Sequence, residues 1–408
     1  MPGIDGVTVE IFPAGVGDSI LLRCAVEGRA INILVDGGVR KTYEDQLRRR
    51  LLELRTQGER LDVLIVTHID SDHIGGALSL LKANGRSAAP SVIAIGDIWH
   101  NGYRHLNLYG RRPTDDEKRR VLNQVHGIPD TDSRTGDISF REGDTFARLI
   151  RAGGYSWNEA WGKGPIVAGG KASIAPGLDV RILSPNLRNL EALAYHWRRG
   201  LQSMGVSFEA VNCAEFEDAF EKVAVLSDEG SPSPESSISA SVGYEPPPAS
   251  AFAEDTSLTN GSSIGFVVNC SGFRGLFLAD SWPSVVAEEW EKLPQEERGR
   301  QVDLVKIAHH GSQHNTSPAF LRLLAARHYI VSTDGTKHGH PDMAALLWIA
   351  ASAPKGAALV FNYPTASAVY MNQPEARVRF GHDLIHGDGR MPVRLSYGAL
   401  DGPGSSNA

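Results

Sequence analysis

The chain has 408 residues, 41% of them hydrophobic and 22% charged. That is the make-up of a globular protein with a large core, and it excludes wholesale disorder. A net charge of -7, from 41 basic and 48 acidic residues, argues against a surface coated in nucleic acid. The strongest apolar runs, 61–66 and 357–361, are strand-length, far short of the roughly 20 residues a membrane span needs. The first ten residues, MPGIDGVTVE, show neither the basic nor the apolar stretch of a secretory leader. Cys24, Cys213 and Cys270 form neither a disulfide framework nor a CxxC zinc site, so a reducing cytoplasm is the expected compartment.

In chain order, 7–12 alternates at period two, 19–23 follows as a second strand, and 31–35 is a buried apolar run ending in Asp36-Gly37-Gly38. Leucines at 47, 51 and 54 predict a helix over 43–55. Residues 61–66 read as a strand covered on both faces, 77–82 as a helix, and 92–98 as a further strand. Strands alternating with helices predict an α/β core. Residues 101–165 are rich in Arg, Asp and Gly and read as an insertion. Its 104–120 stretch carries a net +3, which suits either a phosphate backbone or a charged solvated helix. A strand at 180–183 and a helix at 186–201 come next, then the Ser/Pro/Gly/Glu-rich 227–251, whose composition predicts a flexible loop. Strands at 263–268, 275–279, 302–307 and 329–332 alternate with helices at 285–292 and 318–326. Residues 401–408 are expected to form a disordered tail.

The chemistry concentrates in Thr67-His68-Ile69-Asp70-Ser71-Asp72-His73-Ile74-Gly75-Gly76, directly after the 61–66 strand. Imidazole and carboxylate are the usual ligands of Zn, Mn and Fe, and a turn can aim four of them at one point. Gly75 and Gly76 are expected to leave the backbone room to approach that site. Three later strand ends repeat the pattern: Asp280 after 275–279, His309 and His310 after 302–307, and His338 and His340 after 329–332. Ends of sheet strands are where α/β proteins place their sites. Read singly, Asp280 is equally a helix N-cap and His340 a turn residue. Asp18 and Asp36 are turn stabilisers on the same reading, Lys306 is a solvated lysine, and His100 is an ordinary polar strand end that could reach a substrate.

Taken together, Gly17-Asp18-Ser19, Asp36-Gly37-Gly38, the His68–Gly76 segment, Leu183-Ser184-Pro185, Asn260-Gly261-Ser262-Ser263, Ala279-Asp280, His309-His310-Gly311-Ser312 and Gly339-His340-Pro341 resemble the metallo-β-lactamase-fold hydrolases. The branch resembled is the one represented by the hydrolase domain of the DNA-uptake protein ComEC, here in stand-alone form. The resemblance implies a four-layer αββα sandwich with insertions, one domain over residues 1–400. It also implies two divalent metal ions, zinc first and manganese as the alternative. His68, Asp70 and one of His309/His310 would hold the first ion. Asp72, His73 and His340 would hold the second, and Asp280 would bridge both. Asp70 stands where the broad family has a histidine, and no histidine stands near Ser184, so one of the tandem histidines is expected to supply the missing imidazole. A water activated between the two ions would attack a phosphate ester, with Asp72 orienting it and His310 as proton donor or phosphate contact. Asp18 and Asp36 would then support ligand histidines. The implied substrate is a phosphodiester, DNA or RNA included. A small ester or lactone is the alternative, followed by a non-catalytic binding module.

Overall fold

The computed structural model describes residues 6–106, 145–203, 221 and 244–398. Among these residues fourteen strands form two sheets. The first runs β14-β1-β2-β3-β4-β5, built from β1 (Val7–Ile11), β2 (Ile20–Val26), β3 (Arg29–Val35), β4 (Leu61–Ile65), β5 (Ile95–Trp99) and β14 (Val393–Tyr397). The second runs β13-β12-β11-β10-β9-β8-β7-β6. Its members are β6 (Lys171–Ala175), β7 (Leu178–Ser184), β8 (Gly265–Cys270), β9 (Phe273–Phe277), β10 (Val302–Lys306), β11 (Ala326–Val331), β12 (Ala358–Phe361) and β13 (Asp383–His386).

Each sheet is antiparallel at one end and parallel at the other. Strands β1, β2 and β3 are joined by antiparallel ladders, whereas β3-β4-β5 is parallel. Strands β6 to β9 are antiparallel, and β9 to β13 parallel. Three apolar layers define four structural ones. The middle layer packs Val9, Ile20, Ile33 and Ile65 of the first sheet against Val180, Phe266, Leu304 and Val360 of the second. An outer layer sets Leu21, Leu34 and Leu64 against Leu47, Leu51 and Leu54 and against the Ser71–Asn84 helix. The other outer layer sets Leu276, Val305 and Tyr329 against the Pro283–Glu291 and Met343–Ser352 helices. This is the αββα sandwich, and each buried large apolar side chain in it contributes roughly 1.5–3 kcal/mol.

The expected helix at 43–55 extends over 40–56, with one wide turn at Tyr43–Leu47, and it buries the three leucines that predicted it. The helix expected at 318–326 ends at Leu321, because Ala326 already pairs with Val302 in the sheet. Much of the 101–165 insertion lies outside the described residues. Its described ends are short helices, Tyr103–Leu106 and Phe146–Gly153, the latter packed under the Ser71–Asn84 helix. Of 227–251 only 244–251 are described, and they are held in place. Tyr244 packs on Tyr370, and Trp348 Nε1 donates to Pro247 O at 2.7 Å. The 401–408 tail lies outside the described residues. Cys24 and Cys270 both lie in the apolar layer between the two sheets, where each shifts the other, Cys24 upwards and Cys270 downwards. Among the described residues no helix is long and apolar enough to cross a membrane.

Candidate metal centre

The C-terminal ends of the parallel strands of both sheets open onto one place. From the first sheet come Asp36 after β3 and the His68–Asp72 segment after β4; from the second come Asp280 after β9 and His309-His310 after β10. Asp70 precedes the Ser71–Asn84 helix, so Asp72 and His73 lie in its first turn. A short turn at 308–311 carries both tandem histidines with left-handed backbone (φ 44° and 55°). Such a conformation costs about 1–3 kcal/mol at each non-glycine residue and persists where the surroundings enforce it. The two glycines of the motif serve a different contact from the one expected. A Cβ on Gly76 would lie 2.0 Å from Gly37 O, so the glycine lets the helix close against the loop after β3. On the other side Gly17 permits Asp18 N to donate to Asp72 O at 3.2 Å.

Each inward histidine is anchored through Nδ1. Asp36 Oδ2 meets His73 Nδ1 at 2.8 Å. Ser332 O meets His310 Nδ1 at 2.9 Å. Thr67 Oγ1 donates to Asp36 Oδ2 (2.8 Å), so it accepts from His68 Nδ1 at 3.1 Å. A carboxylate, a carbonyl and a hydroxyl whose proton is already committed can only accept, so all three rings are Nδ1–H and in their neutral form present a lone pair at Nε2. His309 Nδ1 meets Asn315 Oδ1 at 2.9 Å.

The four Nε2 atoms surround Asp280. His73 lies 3.4 Å from its Oδ1, and His68, His309 and His310 lie 3.7, 3.7 and 3.9 Å from its Oδ2. Asp70 Oδ2 is 3.3 Å from His68 Nε2, and Asp72 Oδ2 is 3.1 Å from His310 Nε2 and 3.8 Å from His73 Nε2. The tandem histidines therefore divide: His309 stands on the Asp280 oxygen that His68 also approaches, and His310 stands with Asp72 and His73. Atoms of Asp18, His73, Asp280 and His310 all lie within 4.8 Å of one another. The ring of His340 lies against that of His309 (centroids 5.2 Å), and the carboxylate it pairs with is Asp342, at 3.5 Å.

The field in this pocket calls for positive charge. Burial opposes protonation of His310, yet Asp18, Asp280 and Asp72 push it up to about 10. His73 is raised well above the ordinary imidazole value, with Asp280, Asp72 and Asp36 prevailing over burial. Asp280 and Asp72 fall below the carboxylate range although burial alone would raise them, because His73 and His310 favour the charge of both and His309 that of Asp280 as well. Asp280 Oδ1, Asp70 Oδ1 and His68 Nε2 are buried with no hydrogen-bond partner. Lone pairs and carboxylate oxygens converging without donors are the donor set of a divalent cation, so the residues fit the metal ions implied by the sequence.

Several expectations change on the structure. Asp280 does not cap the following helix, whose N-cap is Trp282. Lys306 is not solvated: it is 1% exposed, pairs with Asp18 Oδ2 at 2.6 Å and donates to Ile307 O. His100 is wholly buried, donates through Nδ1 to Val66 O at 3.0 Å, and is held down at about 4 by burial. Asp36 supports His73 and Thr67, and Asp18 Oδ1 lies 3.6 Å from His310 Nδ1. Asn315 and Asp255 escaped the sequence reading, and Asn260 entered it only within a resembled segment, with no role assigned. Asn315 and Asp255 sit in loops without periodicity, and nothing local sets them apart from ordinary turn residues.

Residues 13–155 match the model of the Metallo-beta-lactamase superfamily. This part of the chain carries Asp18, Asp36, His68, Asp70, Asp72 and His73, and the two mixed sheets with outer helices agree with the fold of that superfamily. Among solved structures, Zn(2+)-bound PqqB from Methylobacterium extorquens is similar at 9% identity and a TM-score of 0.34, covering 96% of this chain and 100% of that one. No curated protein matches the chain.

Proposed function

We propose that the chain is a metal-dependent hydrolase of phosphate esters, a phosphodiesterase or nuclease of the ComEC-like branch. The observation that carries this reading is the convergence of four Nε2 atoms on the single carboxylate of Asp280, with Asp70 and Asp72 on either side. His68, Asp70 and His309 would hold one divalent cation and Asp72, His73 and His310 a second, with Asp280 between them. His310 is placed here as a ligand, because its Nδ1 is committed to Ser332 and its Nε2 faces Asp72 and His73. His340 is kept outside both groups, since it faces His309 and Asp342. Zinc is the first candidate, and the added carboxylates favour manganese as the alternative.

Divalent cations in such a site supply Lewis acidity and bring the ionisation of water towards neutral pH. The residues supply the rest. Asp72, the more open of the two flanking carboxylates with 14% of its side chain exposed, orients the attacking water. Asp36, Ser332 and Thr67 keep the imidazoles in the tautomer that leaves Nε2 free. The carboxylate-rich donor set supports a phosphate ester over a lactone, because hard oxygen ligands favour hard ions that pair with phosphate oxygens. The test is metal analysis of the purified protein, followed by turnover of bis-p-nitrophenyl phosphate and of single- and double-stranded DNA with Zn or Mn. Phosphodiester cleavage that is lost in Asp72→Ala supports the reading. Bound metal with cleavage only of carboxylic esters or lactones would replace it with the small-ester reading, and absence of both metal and turnover would leave a binding module.

A further inference from the structure

The amide of Asn315 is buried, and its orientation is fixed by what surrounds it. Its Nδ2 donates to Asp255 Oδ2 at 3.1 Å and to the backbone oxygen of Asp280 at 3.1 Å. Both partners can only accept, so the amide cannot be turned over, and its Oδ1 is the atom that meets His309 Nδ1. That forces the proton of His309 onto Nδ1 and leaves the lone pair on Nε2, which faces Asp280 Oδ2. Asp255 is itself built in. Its Oδ1 accepts from Ser257 N at 2.8 Å, and its Oδ2 accepts from Asn260 Nδ2 at 2.7 Å as well as from Asn315. Its own amide donates to His314 O at 3.0 Å. Asn260 Nδ2 lies 3.5 Å from His309 Nδ1. Two donors facing each other do not bond, so it is the Asp255 carboxylate that draws the Asn260 amide away from the ring.

We propose that Asp255 is a positioning residue: through Asn315 it fixes His309 as the Nδ1–H tautomer and commits its Nε2 to the cation held with His68, Asp70 and Asp280. The role of that cation rests on the hydrolase reading above, whereas the tautomer does not. The effect belongs to one half of the centre. His73, His310 and His68 are anchored by Asp36, Ser332 and Thr67, none of which touches Asp255.

The test uses the full chain, with the histidine ring nitrogens labelled with ¹⁵N and the metal removed, at a pH where His309 is neutral. In the wild-type protein His309 is expected to show a protonated Nδ1 and an unprotonated Nε2. In Asp255→Ala and in Asn315→Ala it is expected to become a mixture of tautomers, while the ring-nitrogen signals of His73 and His310 stay as in the wild type. Titrated with zinc alone, both variants are expected to bind one of the two ions about 10- to 100-fold more weakly and the other as the wild type does. Asn315→Asp offers an acceptor but no donor to Asp255, and it is expected to keep the tautomer while disturbing the link to Asp255. A His309 that keeps Nδ1–H in both alanine variants, or equal weakening of both ions, would overturn the proposal. If the wild type cleaves no phosphate ester, the hydrolase reading fails while the tautomer measurement still decides this one.

Discussion

His73 and His310 come from opposite sheets and hold their Nε2 atoms 3.3 Å apart. Each ring has already committed its proton on its own side, His73 to Asp36 and His310 to Ser332 O. In their neutral forms neither can donate to the other, and two lone pairs at that distance repel. The contact becomes cohesive when a positive charge enters, either as a proton on one ring or as a cation between the rings and Asp72 and Asp280. The closure of the two sheets at this end is therefore coupled to what the centre binds.

Asp36 ties this centre to the fold, because its carboxylate serves His73 Nδ1, Thr67 N and Thr67 Oγ1 together. Asp36→Ala is expected to weaken metal binding about 10- to 100-fold by freeing the His73 ring. It is also expected to cost about 1–3 kcal/mol in stability by leaving the buried Thr67 amide without an acceptor. Metal titration and urea unfolding of the same preparation read the two effects separately. Wild-type zinc affinity in the variant would show that His73 needs no anchor.

The glycine at 76 supports the centre from outside it. Gly76→Ala would place a methyl 2.0 Å from Gly37 O, so the Ser71–Asn84 helix must move away from the loop after β3. Overpacking of this kind costs about 1–3 kcal/mol. Because Asp72 and His73 sit in the first turn of that helix, the predicted outcome is both a lower melting temperature and loss of metal. A destabilised variant that still retains its full metal content would contradict the link between helix position and ligand geometry.

How much of this was legible in the sequence follows from where each residue finds its partner. The strands 7–11, 31–35 and 61–65 carry period-two or fully buried patterns, and the structure contains them. The His68–His73 segment was legible because its ligands are neighbours in the chain. The Met343–Ser352 helix left no amphipathic period, since residues 345–350 are all buried, and the sequence reading passed over it. Strand β14 finds its place through pairing with β1 at the other end of the chain. The reading of Lys306 as solvated failed for the same reason. Its counter-ion Asp18 lies in the loop between β1 and β2, and nothing near residue 306 announces it. Asn315 likewise gains its meaning from Asp255 and Asp280, which only the tertiary fold brings to it.

That buried pair makes a prediction of its own. Lys306 and Asp18 are each almost wholly buried, and Lys306 heads the causes that hold Asp18 charged against the effect of burial. Lys306→Met leaves an uncompensated carboxylate in the core, and the expected loss is about 3–5 kcal/mol. Adding Asp18→Asn removes that charge and is expected to restore part of the stability. A double-mutant cycle by denaturant unfolding checks this, and strictly additive losses would mean that the two charges do not depend on each other.

The strongest pH signature comes from His310. Its folded value of about 10 lies above the ordinary 6.5, so with no metal bound its proton stabilises the fold fully below pH 6.5. That contribution is lost as pH rises towards 10. His73 shifts in the same direction. Asp72 and Asp280 are held below the usual range and stay ionised throughout this window. A bound cation takes the place of those protons, so its affinity grows with pH as fewer protons must be displaced. Melting temperatures measured from pH 6.5 towards 10, in chelator and in zinc or manganese, are therefore expected to diverge: falling without metal, held up with it. Groups elsewhere in the chain titrate equally in both series and cancel in the difference. In Asp280→Ala the shared carboxylate is gone, and the two curves are expected to run together. Parallel curves in the wild type would show that no cation exchanges with the protons of His73 and His310.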